Sequence, residues 1–300
     1  MMTDVEVFEE AVASGLAKCA SRVEHVATAR WRLSFDNGQV LPATARIDDA
    51  WLVIDAAVPQ RGRKTRRSPK RLWDLLRLNA QIASQARFVV RPSDRSVHLR
   101  AEMPLDEEGG ASAERARLAG EGCKAAFKRF VGNGRCHTAL ADDASRAAEA
   151  GGAGCDLVAL CGDTGWDCAE RASGSVSVGL DVPSGAYRAL VAARQEDVVS
   201  LSVDVADCES MKARSRNALG LMLLTASGIV RMVRAAAGAS GDRQMARLEV
   251  IAGPAPTATE LVHALSALSV ACRLCGAEAR ALQGDEEVAR RYLSSRGCSS

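Results

Sequence analysis

LLRLNAQIASQARFVVRPSDRSVHLRAEMPL, residues 75 to 105, decides the fold. Leu75, Leu76, Leu78 and Ile82 recur at helical spacing and predict an amphipathic helix from Trp73 to about Ala83. Arg87-Phe88-Val89-Val90-Arg91 predicts a strand, and Ser96 to Met103 a second. Pro92-Ser93-Asp94-Arg95 between them has turn chemistry: Pro presets φ, and the Asp carboxylate bonds nearby backbone. Val97, Leu99 and Ala101 alternate with His98, Arg100 and Glu102. That period of two predicts a sheet buried on one face and wet on the other. The apolar stripe of the helix fits the buried face of this sheet. Nothing in the stretch carries a catalytic motif.

Working outward, residues 4–20 place Val5, Phe8, Ala11, Val12, Leu16 and Cys19 on one side of a helix. Trp31 to Phe35 alternates as a strand, Asp36-Asn37-Gly38 signals a hairpin, and Val40 to Ile47 follows as its partner. Asp48-Asp49 turns the chain into a third, apolar strand, Trp51 to Val58. A helix from about Ser112 to Phe130 closes the unit. Helix, three strands, helix, two strands, helix is the order of an α+β sandwich.

The pattern then recurs. Residues 133–172, rich in Gly, Ala, Asp and Cys, read as a connector with helices at about 139–149 and 155–162. Val176 to Val182, Tyr187 to Ala193 and Val198 to Val205 predict three strands, and Ser210 to about Ala226 a helix. Ile229 to Ala236 extends that helix or, by analogy with the first half, forms a strand whose partner is Met245 to Ala252. Thr257, with Glu260 three residues on, opens a last helix running to about Ala281. Three strands, helix, two strands, helix thus occurs twice at a spacing near 150 residues. The domains expected are 1–132 and 173–300, flanking the connector.

Three hundred residues, 47% apolar, can fill two cores, although only 4% are aromatic. A net charge of +2 demands no polyanionic partner. The acidic N-terminus lacks the basic and apolar regions of a signal peptide. The longest apolar stretch, Ala218 to Val230, is too short to span a bilayer. The chain is expected to be soluble and cytoplasmic, with no membrane partner and its ten cysteines reduced.

Leu78-Asn79-Ala80 and Glu102-Met103-Pro104-Leu105-Asp106 resemble the hallmark of type III secretion chaperone-like proteins, including the sensory-transduction-regulator type. That hallmark is a helix ending in Leu-Asn-Ala, then a hairpin ending in an acid-flanked Pro-Leu. Val176 to Ala206, with Asp181-Val182-Pro183-Ser184-Gly185 and Tyr187, looks like the strands of a second copy. The resemblance is specific over residues 75–106 and topological elsewhere. It implies a non-enzymatic, often dimeric, polypeptide-binding fold in two tandem copies. The chain is then a monomer with an internal pseudo-dimer or a homodimer.

The chemistry-bearing residues offer little beyond this. Cys272 and Cys275 have C-x-x-C spacing, but within an apolar helix they share a face and read as core. Cys136, His137, Cys155, Cys161 and Cys168 could together bind a metal, but their spacings are irregular and no second C-x-x-C occurs, so a small packed connector is the plainer reading. His25, His98, His137 and His263 are scattered and read as solvated or locally satisfied. No G-x-S-x-G, Walker A or H-E-x-x-H pattern occurs, so no catalytic residue, cofactor or metal is assigned. Arg61, Arg63, Lys64, Arg66, Arg67, Lys70 and Arg71 form a basic loop able to neutralise phosphates. It has no interleaved aromatics for stacking on single strands, and a solvated loop is the plainer reading. The expectation is a binding module that holds an extended segment of a client protein at a sheet edge or groove. Trp31, Leu33 and Phe35 are the candidate patch on a short strand placed at an edge, with core packing the plainer reading. The alternative is a nucleic-acid-associated regulator acting through residues 61–71.

Overall fold

The structure, a computed structural model, describes residues 4–36, 38–59, 69–105, 110–133, 156–171, 173–183, 185–193, 198–240, 243–254 and 256–296. The first repeat runs α1 (Asp4–Ala17), β1 (Arg22–Ala27), β2 (Arg30–Asp36), β3 (Val40–Asp48), β4 (Trp51–Ala57), α2 (Pro69–Ala80), β5 (Arg87–Val90), β6 (Val97–Pro104) and α3 (Gly110–Asn133). The second runs α4 (Leu157–Gly162), β7 (Cys168–Glu170), β8 (Val176–Val182), β9 (Gly185–Ala193), β10 (Val198–Asp207), α5 (Ala213–Ile229), β11 (Arg234–Ser240), β12 (Arg243–Pro254), α6 (Ala258–Gly284) and α7 (Glu286–Ser295). The architecture is α+β, with two antiparallel six-stranded sheets. Their strand orders are β1-β2-β3-β4-β6-β5 and β7-β8-β9-β10-β12-β11, the same topology twice. Residues 234–240 are therefore strand and not an extension of α5.

Turn chemistry fixes the registers. Asp36 pairs with Val40 across the first hairpin, where Gly38 has φ +79° and donates its N–H to Asp36 Oδ1 at 2.9 Å. Asp48 pairs with Trp51, and Asp49 and Ala50 between them both take positive φ, the requirement of a type I′ turn. At the β5–β6 hairpin Arg95 has φ +58°, and the Asp94 carboxylate accepts the Ser96 N–H at 2.9 Å. Thr257 and Glu260 form the capping box that opens α6.

The compact units do not follow the repeat. One comprises Met1–Arg61 with Ser84–His137, the other Gly62–Ala83 with Thr138–Ser300. In the first, α1 and α3 pack on each other, and α3 lies on β6 and β4. Close approach depends on glycine: a Cβ at Gly15 would stand 2.0 Å from the Ala113 carbonyl oxygen. Trp31, Leu33, Phe35, Leu52, Ile54, Leu99 and Ala101 are all buried.

Helix α2 belongs to the other unit, where it packs on β11 and α5 and not on the sheet of its own hairpin. The physical reason is that α1 and α3 already form the helical layer of the first unit. An apolar stripe records that a helix is buried, not which surface buries it. Strand β7, in the stretch read as connector, pairs with β8 in the second sheet. The helix expected at 139–149 lies outside the described residues.

Helix α6 runs over β10, β12 and β8 and packs on α5. Among the described residues it is the one helix long and apolar enough to cross a bilayer by length and composition. Its Leu261, Leu265, Leu268 and Cys272 are instead buried within the unit.

Candidate functional site

Each sheet carries the same row of four charged side chains. In the first unit Asp55 on β4 stands in register with Arg100 on β6. Arg100 donates to Asp55 Oδ2 from Nε at 3.0 Å and from Nη2 at 2.7 Å. Arg100 Nη1 lies 3.9 Å from Glu102, which is paired with Arg87 of β5. In the second unit Asp204 on β10 stands in register with Arg247 on β12. Arg247 Nη1 lies 3.9 Å from Glu249, whose Oε2 accepts from Arg234 Nε at 2.9 Å and Nη2 at 2.8 Å. Three of the four equivalent positions lie 147 residues apart, and the aspartates 149. The second row is looser at its aspartate: Arg247 Nε is 3.3 Å from Asp204 but not aligned as a hydrogen bond.

Most of these side chains are buried, while Arg100 and Arg247 are half-buried and Asp204 is exposed. Arg87 is 1% exposed, His98 3%, Glu102 5%, and Arg234 and Glu249 are 1% and 0%. The face of β6 expected to be wet is therefore shielded in the first unit. Alternation reports polarity, and a paired charge can be buried where a lone one cannot.

The first row has an arm that the second lacks. His98 lies two residues before Arg100, on the same face of β6. Its Nδ1 pairs with Asp55 Oδ1, and the Ser96 hydroxyl lies 2.6 Å from its Nε2. Arg91, at the end of β5, reaches the same Asp55 oxygen at 3.3 Å. The positions 147 residues on from His98, Ser96 and Arg91 are Met245, Arg243 and Gly238. Burial alone would raise the Asp55 carboxyl. Hydrogen bonds from His98 and Arg100, together with their charges, outweigh it and hold the acid down to about 2.

The order hydroxyl, imidazole, carboxylate is that of a proton relay for a nucleophile. Here the hydroxyl also donates to Asp94, and the Ser96 N–H is committed to the same carboxylate. The donor beside the hydroxyl that an oxyanion would require is thereby consumed. The arm ties the β5–β6 turn to β4.

The residues singled out by sequence are not gathered at this cluster. Trp31, Leu33 and Phe35 are 2%, 0% and 0% exposed and face the core. Their strand is second from the edge, because β1 precedes it in the sheet, so they are not an edge patch. Arg61, Arg63, Lys64, Arg66 and Arg67 lie outside the described residues, as do the side chains of Lys70 and Arg71. Cys136, His137 and Cys155 lie outside them too. Among the described residues no group of His, Cys, Asp and Glu could hold a metal. Cys272 and Cys275 are buried core thiols, both pushed up to about 12 by burial.

The open edge of the first sheet is β1. Among the described residues it pairs with β2 alone, and its Arg22, His25, Val26 and Ala27 are exposed. Glu9 of α1 accepts the Ala29 N–H at 2.9 Å, fixing the β1–β2 turn, and stands 3.4 Å from His25. Sequence reading missed both β1 and the charged rows. For β1 no strong signal existed, since an exposed edge carries few apolar residues. For the rows the signal was the recurrence of Arg-x-Glu, at Arg100 and Glu102 and again at Arg247 and Glu249.

No protein-family model matches the chain, and no curated protein matches it.

Proposed function

We propose that this chain is a non-enzymatic, chaperone-like polypeptide-binding module of the cytoplasm, holding an extended segment of a client protein along β1. The observation that carries the reading is the edge strand itself: six residues, paired on one side, largely exposed, and fixed at one end by Glu9. Such an edge offers unpaired backbone donors and acceptors, and an added strand satisfies them. Exposed Val26, with Arg22 and Glu24 beside it, gives that strand apolar and charged neighbours to select for. The commitment of Ser96 to Asp94 supports the non-enzymatic part of the reading.

The test is retention of proteins from native cytoplasm on the immobilised full chain, at low and high salt, with Val26→Lys as comparison. A lysine on an edge strand opposes strand addition. A discrete protein held at high salt by the wild type and lost by Val26→Lys is expected. Nucleic acid released by salt, with no protein client, would overturn the reading and favour the basic loop.

A further inference from the structure

Helix α6 turns a second apolar seam outward. Ala267, Val270, Leu274, Ala277 and Ala281 follow the three-then-four spacing of a coiled-coil seam. Val270 is 55% exposed and Leu274 50%. This seam is separate from the buried face carrying Leu261, Leu265, Leu268 and Cys272. Arg273 and Glu278 flank it on opposite sides, and neither forms an ion pair among the described residues.

We propose that this seam is a self-association surface, and that its occupant is α6 of a second copy of this chain in parallel orientation. Charge decides both partner and direction. Five residues separate Arg273 from Glu278, the separation at which flanking positions meet across a parallel pair. Two-fold symmetry then sets Arg273 of each copy against Glu278 of the other, twice. An antiparallel pair would bring arginine to arginine and glutamate to glutamate. The alanines at 267, 277 and 281 let the helices approach closely, and Val270 and Leu274 fill the middle of the seam. Fifteen residues of helix make a contact of roughly 20 Å, a small interface, so association is weak. This inference is independent of client binding at β1.

Sedimentation of the full chain over a concentration series tests it, alongside Leu274→Glu, Arg273→Glu, Glu278→Arg and the double charge reversal. The wild type is expected to form a concentration-dependent dimer. Leu274→Glu is expected to be monomeric with unchanged circular dichroism. Each single reversal should weaken association by about tenfold, and the double reversal should restore it. Val270→Cys should cross-link to itself under mild oxidation, because a parallel pair sets each residue opposite its own copy. A wild type that stays monomeric, because another segment of the chain covers the seam, overturns the proposal. So does a dimer indifferent to Leu274→Glu, or a double reversal that fails to recover.

Discussion

The side-chain amide of Asn79 donates to the backbone carbonyl of Ala235, 2.8 Å away and 156 residues further along the chain. Arg234 closes the same junction by donating to the Ile82 carbonyl. Helix α2 is thus fixed on the edge strand β11 by hydrogen bonds from both partners, and Asn79 is fully buried. Asn79→Ala leaves a buried carbonyl short of its donor, at a cost of about 1–3 kcal/mol. Chemical denaturation should show the loss in the second unit's transition. An unchanged midpoint would mean that the apolar stripe alone holds α2.

Acid should act on the first unit through Asp55. Its folded-state value, about 2, lies below the usual 3.8. A depressed acid contributes stability that is complete above the unfolded value and is lost as pH falls through the folded one. The window is therefore about pH 4 down to 2, and the amount is about 2 kcal/mol. Asp55→Asn should be less stable at neutral pH by about 3–5 kcal/mol, since it strands Arg100. Its stability profile should also be flatter across that window. A variant that retains the wild-type acid slope would show that other carboxylates carry it.

The repeated rows make a paired comparison. Glu249→Gln removes the negative charge that meets two Arg234 hydrogen bonds at a site with no exposure. The expected cost is about 3–5 kcal/mol, and Glu102→Gln should behave alike in the first unit. Replacing Arg234 and Glu249 together with Met and Leu should cost less, because the two charges leave together and what remains to lose is the Arg234 hydrogen bond to the Ile82 carbonyl. Thermal melts of the three variants check this, and a double variant as unstable as the single one would contradict it.

Two glycines in one layer should respond in opposite directions. Gly15→Ala drives a methyl into the Ala113 carbonyl and should destabilise by about 1–3 kcal/mol, despite the better helix propensity of alanine. Gly132→Ala, in α3 with nothing within 4 Å, should be neutral or stabilise by up to about 1 kcal/mol. Equal effects at both sites would mean that propensity and not packing governs the α1–α3 contact.

Much of this architecture was legible before any coordinates. The hairpin turn at Gly38, the Pro-Ser-Asp-Arg turn and the Thr257 cap each have a local cause, and local causes can be read locally. The repeated order of strands was legible for the same reason. Four features were not. The edge strand β1 has too little apolar character to stand out. Helix α7 escaped because its Asp285 cap follows directly on the long α6. The charged rows are hidden in the sequence, because His98, Arg100 and Glu102 look like a wet face until Asp55 and Arg87 are brought beside them. The partner of α2 is a long-range choice, and no stripe of leucines can name a strand more than 150 residues away.

That choice bears on how the chain is made. Synthesis delivers α2 well before β11 and α5 exist. Until they emerge, Leu75, Leu76 and Leu78 lack the surface that buries them in the finished protein. The sheet from β1 to β6 and its two helices can condense around this gap, since both flanking segments are already available. The second sheet cannot finish without reaching back for α2. Ribosomal order and structural order therefore diverge at one twelve-residue helix, and the waiting interval is the point at which a nascent chain is most open to capture or to misassociation.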